Sequence, residues 1–135
     1  MGLSSSEFIS PPDPQDLLWQ WERSGDRSYL VCGLLEQFTH GFFTKEWEGH
    51  KPKDLTQLWG QALKTYNLTQ IHGKLVWTTA EIDRDHIGEG DGLISDRGGD
   101  CLWVASADCN PILIGDITTG RVSAVHAGWR GTAQK

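Results

Sequence analysis

Short apolar runs near the start of the chain predict a β-hairpin. Residues 17–22 and 28–32 are rich in Trp, Tyr and Leu, and they flank a turn-forming Ser-Gly-Asp at 24–26. Residues 40–44 form a further run that is a candidate third strand. Residues 1–16 are rich in Ser, Pro and Asp and lack an apolar period, which predicts a flexible N-terminal arm.

Apolar residues at helical spacing follow a charged loop at 46–53. Asp54 can cap a helix, and Asn67 is a suitable stop for it. The apolar positions between these two residues are Leu55, Leu58, Trp59, Ala62, Leu63 and Tyr66. The pattern therefore predicts one helix between residues 54 and 67.

The second half of the chain changes to a strand-like pattern. Its short apolar runs lie at residues 75–77, 92–94, 102–105, 112–114 and 122–125, with turn residues between them. The segment 81–100 is rich in acids and Gly but lacks the spacing of a calcium loop, so most of its acids are interpreted as a solvated loop. Together the patterns predict one helix and otherwise mostly sheet in one domain, residues 17–135.

Composition and charge exclude several classes of protein. Hydrophobic residues make up 38% and charged residues 22% of the 135 residues, which excludes collagen-like, coiled-coil and strongly disordered chains. The 12 basic residues are not clustered, and a net charge of -6 argues against a nucleic-acid partner.

The chain lacks the signs of a membrane or secreted protein. No apolar run approaches the roughly 20 residues of a membrane span, and residues 1–12 do not resemble a secretory signal. Cys32, Cys101 and Cys109 form an odd set without close spacing, which is typical of a reducing compartment rather than a disulfide framework. We therefore expect a cytoplasmic protein.

Three segments place metal-binding or nucleophilic side chains beside small residues at the ends of apolar runs. They are Gln70-Ile71-His72-Gly73, Ala107-Asp108-Cys109-Asn110-Pro111 and His126-Ala127-Gly128-Trp129-Arg130-Gly131. The intervals between His72, Cys109 and His126 fit no zinc finger, so a shared site would be assembled by the fold. Two imidazoles and one thiolate leave a fourth tetrahedral position open, which is the arrangement of a catalytic zinc.

Two other interpretations of these residues stay open at the level of sequence. His72 and His126 can be core or turn histidines, with Cys109 as a small buried hydrophobic residue. Alternatively, Cys109 is a nucleophile activated by His126 without a metal, which would suit amide hydrolysis or deamidation. Residue types and spacing alone do not decide among the three.

The three segments resemble the signature motifs of a bacterial family known both as multicopper polyphenol oxidase (laccase-like) and as purine nucleoside phosphorylase. The family motifs read Q-V-H-G, A-D-C-x-P and H-A-G-W-R-G, and residues 126–131 match the third completely. The resemblance is clearest over residues 68–132. It implies a zinc or copper site made by His72, Cys109 and His126.

The resemblance also implies a reaction and a fold. The reaction is phosphorolysis of adenosine, inosine or methylthioadenosine to base and ribose 1-phosphate, with adenosine deamination as a second activity. The oxidase label instead implies copper-dependent oxidation of phenols. The fold is a mixed α+β sheet sandwich similar to the catalytic domain of cytotoxic necrotizing factor toxins, which use a Cys–His pair. That likeness keeps a metal-free Cys–His amide hydrolase as an alternative.

The implied mechanism adds Arg130 to the catalytic pair Cys109 and His126. Arg130 lies where a strand is expected to pass into a helix, so its guanidinium and nearby backbone N–H groups can hold phosphate. It can equally be a surface or capping arginine. Further candidates for orienting a ligand, binding substrate or stacking on a purine are Gln70, Asp108 and Trp129.

The sequence departs from the family in two respects. Residues 45–49 stand where the family carries a Gly-Gly-Val-Ser loop. Family members are also longer, so we expect the chain to be an N-terminal portion with open sheet edges that favour self-association. In such an N-terminal portion we expect metal binding to be retained better than phosphorolysis, because phosphorolysis needs a complete nucleoside pocket. A non-catalytic truncated remnant is the last alternative.

Overall fold

The described part of the molecule falls into two compact units. The computed structural model describes residues 18–107, 109–128 and 133. The first unit lies within residues 1–46 and the second within residues 47–135.

A β-hairpin is the main element of the first unit. Strand β1 (Trp19–Ser24) pairs antiparallel with β2 (Arg27–Cys32) along the full length of both strands. Gly25 in the connecting turn has a φ of 65°, a left-handed conformation that glycine adopts without a Cβ clash. The predicted hairpin is therefore confirmed.

The third strand predicted at residues 40–44 is wrong. Phe42 makes an isolated bridge with Leu30, through two backbone hydrogen bonds of 2.8 and 2.9 Å. The His40 side chain replaces further strand pairing, because its Nε2 accepts the Cys32 N–H at 2.8 Å. Two single turns of 3-10 helix lie at Gly33–Leu35 and Lys45–Trp47.

The second unit combines short helices with two sheets. Its described elements are α1 (Pro52–Thr56), β3 (Lys64–Tyr66), β4 (Val76–Thr78), α2 (Thr79–Asp85), β5 (Gly92–Ser95), β6 (Asp100–Leu102), β7 (Asn110–Gly115) and β8 (Val122–Ala127). Strands β3 and β6 form a parallel pair. The other four form a mixed sheet in the order β4-β5-β8-β7, parallel between β4 and β5 and antiparallel elsewhere. The α+β class is confirmed, whereas the likeness to the toxin fold stays a prediction.

The helix predicted for residues 54–67 is wrong in length. Helix α1 ends at Thr56, and Asp54 lies in its first turn rather than at its cap. Residues 64–66 form β3 instead, with Tyr66 buried to 5% exposure. Pairing with β6 and burial of the Tyr66 ring override the local helical spacing, which is a weak preference on its own.

The solvated loop predicted over much of residues 81–100 is also wrong. The segment begins inside α2, where the Thr78 hydroxyl accepts the Glu81 N–H at 3.1 Å and the Glu81 carboxylate accepts the Thr78 N–H at 3.2 Å. This reciprocal capping box is a short-range signal for a helix start. Asp91 is buried, and the Asp100 side chain is only 7% exposed. The segment thus supplies structural carboxylates.

A small apolar core supports strands β5 and β8. Its buried members are Tyr66, Leu68 and Leu93, with Trp77, Ile82, Ile87, Leu102 and Val104 packed against them. Leu93 on β5 is 1% exposed and lies opposite Ala124 of β8, which is equally buried. Burying one such leucine contributes about 1.5–3 kcal/mol. The two central strands therefore form the fixed frame on which the site is built.

Strand β7 lies at one edge of the four-stranded sheet and carries exposed apolar side chains. Ile112 and Ile114 are 42% and 54% exposed. Such an edge can associate, but self-association stays a prediction, as do the cytoplasmic location and the single domain over 17–135. The predicted arm at 1–16 lies outside the described residues. Neither described α-helix is long and apolar enough to cross a membrane.

Candidate metal centre

Three side chains that are far apart in sequence converge in the second unit. One ligand atom each from His72, Cys109 and His126 lies within 4.8 Å of the other two. The rings of His72 and His126 stand edge to face, with centroids 5.1 Å apart. His126 is buried, Cys109 is half-buried and His72 is exposed, so the group opens towards solvent on one side.

The strand pattern of β8 explains the burial of His126. Ala124 and His126 are 1% and 4% exposed, whereas Val125 between them is half-buried. Alternate residues of a strand point to opposite faces, so His126 shares the core face with Ala124. Cys109 directly precedes β7, whose Pro111 lies opposite His126. Pairing of β7 with β8 therefore places the thiol near the imidazole.

A buried carboxylate that the sequence did not single out supports His126. Asp91 is 2% exposed, and its Oδ2 lies 2.7 Å from His126 Nδ1. An ionised carboxylate can only accept a hydrogen bond, so Nδ1 carries a proton, and in the neutral ring Nε2 is then the nitrogen with a free lone pair. A carboxylate behind a histidine is a common support of metal-binding imidazoles.

The same carboxylate also holds the loop that carries His72. Oδ1 of Asp91 accepts the N–H groups of Ile71 at 3.1 Å and Gly73 at 2.9 Å, and Oδ2 accepts the N–H of His72 at 3.1 Å. His72 has a φ of 58°, in the left-handed region that residues with a Cβ seldom occupy. The loop is thus fixed in an uncommon conformation by three hydrogen bonds to one side chain.

Hydrogen bonding keeps Asp91 ionised in spite of its burial. Burial by itself would raise the pKa of the Asp91 carboxyl, but the Gly73 N–H and the His126 ring lower it, as do the N–H groups of Ile71 and His72. The net result is a pKa below the ordinary value of an aspartate. The carboxylate can therefore serve as a hydrogen-bond acceptor for the site at neutral pH.

Gly128 leaves room at the point where the three side chains meet. A Cβ built on Gly128 would lie 3.2 Å from Cys109 Sγ and 3.8 Å from both His126 Cε1 and His72 Nδ1. A methyl group would therefore press on the thiol and touch both rings. The absence of a side chain at this residue is part of the geometry of the site.

The donor set fits a metal ion better than it fits a bare cysteine–histidine pair. A thiolate with two imidazoles suits zinc or copper, and three protein ligands leave one tetrahedral position open. A metal-free dyad needs only Cys109 and His126, and it gives no reason for His72 to join them within 4.8 Å. The residues present thus match the requirements of a three-ligand site.

Gln70 connects the segments that carry two of the three candidate ligands. Its Nε2 donates to the Ala105 carbonyl at 2.7 Å, and its Oε1 accepts the Ala105 N–H at 2.7 Å. The amide is therefore engaged by backbone and ties the loop of His72 to the segment before Cys109. Roles were also predicted for Asp108, Trp129 and Arg130. These three residues lie outside the part of the chain that the structure describes.

Sequence reasoning missed Asp91 and Gly128 for different reasons. Asp91 was one acid among many in segment 81–100, although it directly precedes the apolar run of β5. A charged residue at the start of a buried strand is a usable signal, because burial demands partners for its charge. Gly128 lies inside a matched motif, but its role depends on which atoms meet there, and only the folded chain shows that.

A cavity of about 160 Å³ lies beside Asp91 and His126. Its other lining residues are Gly73, Lys74, Leu75, Val76, Val125 and Ala127. The lining is mainly alkyl, which suits part of an organic ligand rather than a further metal ion. Pockets for complete drug-sized ligands are about 300–1,000 Å³, so this cavity can hold only a fragment of that size class.

Comparison with known proteins adds a family match over the second unit. The model of the family described as multi-copper polyphenol oxidoreductase laccase matches residues 50–135. A purine nucleoside phosphorylase of Synechocystis sp. is 40% identical over 123 residues, covering 87% of this chain and 47% of the relative. A purine nucleoside phosphorylase of Deinococcus radiodurans is 38% identical over 65 residues, covering 48% of this chain and 24% of the relative. The chain thus spans about half the length of the first relative.

Solved structures show the same fold. The crystal structure of YlmD from Geobacillus stearothermophilus is 26% identical, with a TM-score of 0.66, and the match covers 82% of this chain and 53% of that one. Neisseria meningitidis protein NMB0706 is 27% identical, with a TM-score of 0.55, and the match covers 88% of this chain and 53% of that one. The fold of the described residues is therefore like that of these two proteins.

Proposed function

The chain belongs to the multi-copper polyphenol oxidoreductase laccase family, and we propose that it carries the metal centre of a purine nucleoside phosphorylase. The convergence of His72, Cys109 and His126 within 4.8 Å carries this proposal. The relatives named purine nucleoside phosphorylase support the substrate class, a purine nucleoside with phosphate.

The chain's own residues would hold the ion in a defined way. His126 offers Nε2, because its Nδ1 proton is directed at Asp91. Cys109 binds as thiolate and His72 as neutral imidazole, so all three must give up or lack a proton at the ligating atom. A zinc or copper ion held by these three side chains would supply a Lewis acid to the site.

Phosphorolysis also requires groups that bind the phosphate and the purine base. A phosphate oxygen forms a bond to C1′ of the ribose while the C1′–N bond breaks, and the base leaves with that electron pair and takes up a proton. We assign phosphate binding to Arg130, since a guanidinium matches two phosphate oxygens at once. We place part of the base in the alkyl cavity beside His126.

The finer substrate range belongs to the same proposal. Adenosine, inosine and methylthioadenosine share the purine and the ribose C1′ at which the bond breaks. Deamination of adenosine, which exchanges its amino group for oxygen from water and releases ammonia, is the second activity we assign to the centre. It requires activated water beside the purine, a chemistry that an open three-ligand zinc site can supply.

A metal-free cysteine–histidine hydrolase is the second candidate function. The observation in its favour is the order Cys109, His126, Asp91, which resembles a nucleophile, a base and the residue that orients the base. In that function His72 has no chemical task. Replacement of His72 therefore separates the two candidates.

Metal content is the first test of the proposal. We expect about one zinc per chain, and we expect His72→Ala, Cys109→Ala and His126→Ala each to remove most of it, as measured by elemental analysis. Unchanged metal content in all three variants would remove the proposed centre. Loss of metal only in Cys109→Ala and His126→Ala would show that His72 is not a ligand.

Product analysis is the second test. We expect free base to be released from adenosine or inosine only weakly, and only when both phosphate and metal are present, as followed by chromatography, because the cavity beside His126 encloses only a fragment of such a substrate. Base release without phosphate would indicate hydrolysis instead of phosphorolysis. Amidase turnover that persists in His72→Ala and after chelation would favour the metal-free candidate.

A further inference from the structure

We propose that Asp91 is the positioning residue of the candidate metal centre, because its one carboxylate fixes the orientation of two of the three ligands. The inference rests on the proposed metal site. It assigns to that site a residue that supports the candidate ligands without being one of them. Asp91 binds the ring of His126 on one side and the backbone of the His72 loop on the other. The two ligands are therefore set relative to each other by a single group.

The first step of the argument concerns the ring of His126. Both side chains of the His126–Asp91 pair are 3% exposed, and Nδ1 and Oδ2 are 2.7 Å apart. In such a buried pair water cannot replace either partner. The Asp91 carboxylate therefore fixes both the tautomer and the rotation of the ring, so that Nε2 is the nitrogen left for a metal.

The second step concerns the backbone that carries His72. Its left-handed φ of 58° needs support from the surroundings. Three consecutive N–H groups, from Ile71 to Gly73, point at the Asp91 carboxylate. Without that acceptor the three donors would lose their common partner, and the loop would have no reason to keep His72 facing His126.

The third step is that a neutral amide cannot take over the role. Four N–H donors reach the carboxylate, two on each oxygen: Ile71 and Gly73 on Oδ1, His72 and His126 on Oδ2. An asparagine offers one oxygen and one NH₂ group. In either placement of its amide, two of the four donors would face another donor.

The main chain of Asp91 would not be altered by such a change. The Asp91 carbonyl accepts the His126 N–H at 2.7 Å, and the Asp91 N–H donates to Leu75 at 3.0 Å. Asp91→Asn leaves these bonds in place and removes only the carboxylate. The substitution therefore tests the side chain without removing the strand contacts.

The chain offers a matched control in Asp100. Its side chain is 7% exposed, and its Oδ2 accepts hydrogen bonds from Thr79 at 2.6 Å, Ser95 at 2.7 Å and Arg97 at 3.1 Å. Asp100→Asn thus disturbs another buried carboxylate network of the same unit. The partners of Asp100 are other residues than the candidate ligands.

The experiment compares zinc affinity in the full-length chain by competition with a chromophoric chelator. We expect Asp91→Asn to weaken zinc binding by about 10- to 100-fold, while Asp100→Asn lowers the melting temperature but leaves zinc affinity within about threefold. Equal affinity in wild type and Asp91→Asn would overturn the proposal. So would equal weakening in the two variants, since the effect would then be one of general stability.

A second measurement keeps the proposal testable if Asp91→Asn does not fold. Nitrogen-15 NMR of the metal-free wild-type chain reports which ring nitrogen of His126 carries the proton. We expect Nδ1–H, and an Nε2–H tautomer would overturn the role of Asp91 whether or not zinc binds. If the wild-type chain binds no zinc but shows Nδ1–H, the proposed metal centre fails and the positioning of His126 by Asp91 remains.

Discussion

Replacement of Gly128 by alanine separates metal binding from folding. The new Cβ would lie 3.2 Å from Cys109 Sγ. Ordinary contacts are about 3.5–4.0 Å, so the thiol has to retreat by a few tenths of an ångström. Metal–ligand distances tolerate only about 0.2 Å of error. The displacement therefore exceeds what a metal held by His72, Cys109 and His126 accepts.

The size of the effect follows from the cost of overpacking. An added methyl group that cannot be relieved costs about 1–3 kcal/mol. If that strain falls on the metal-bound state alone, affinity drops by about 5- to 150-fold. We expect Gly128→Ala to show a loss in this range when zinc binding is measured by chelator competition.

Unlike zinc affinity, the stability of the metal-free chain should not fall in Gly128→Ala. Gly128 is not among the residues with a left-handed φ, so a Cβ there meets no left-handed backbone strain. Cys109 is half-buried and can rotate away when no metal holds it. Restricting the unfolded chain then stabilises the fold by about 0.4–1 kcal/mol. We expect the metal-free melting temperature to stay the same or rise slightly.

Gly98→Ala is the control for this experiment. A Cβ at Gly98 meets nothing within 4 Å, and its φ is outside the left-handed region. We expect unchanged zinc affinity in this variant. Wild-type affinity in Gly128→Ala would refute the crowding argument, and a large drop in its metal-free melting temperature would refute the claim that Cys109 can turn aside.

Three further predictions concern the fold. Hydrogen bonds from the Tyr66 hydroxyl and two cations lower the pKa of Asp83 to about 2, so its folded pKa lies below the unfolded one. Asp83→Asn should lower the melting temperature at pH 7, with the difference from wild type shrinking between about pH 4 and pH 2; a difference that is constant with pH would contradict this. Leu93→Ala should lower the free energy of unfolding in urea by about 2–5 kcal/mol. A loss under 1 kcal/mol would mean that neighbouring side chains fill the space left by the leucine. Gly25→Ala should speed amide hydrogen exchange in the hairpin by imposing about 1–2 kcal/mol of backbone strain, and unchanged exchange would show that the turn can adjust.

Local signals in the sequence were sufficient where one short segment decides the structure. The hairpin depends on Gly25 and its flanking strands. The capping box at Thr78 is also a local signal, but the predicted solvated loop overlooked it. The convergence of His72, Cys109 and His126 was predicted from the resemblance of three motifs to a known family, since residue types and spacing alone left it open.

Long-range contacts explain what the sequence could not predict. Residues 64–66 read as part of a helix until β6, more than thirty residues later, offers them a partner strand. Asp91 looks like its acidic neighbours until residues 71–73 and His126 meet it. In both cases the deciding energy comes from groups distant in sequence, and a local pattern carries no record of them.

The edge position of β7 bears on how long a metal ion would stay bound. In the described part of the chain β7 pairs with β8 alone, and Cys109 directly precedes it. Edge strands open more readily than central ones, so local fraying would withdraw the thiolate while His72 and His126 stay joined through Asp91. Ligand dissociation would then be ordered, with sulfur leaving first. The residence time of the ion would therefore follow the opening rate of β7 more closely than the global unfolding rate.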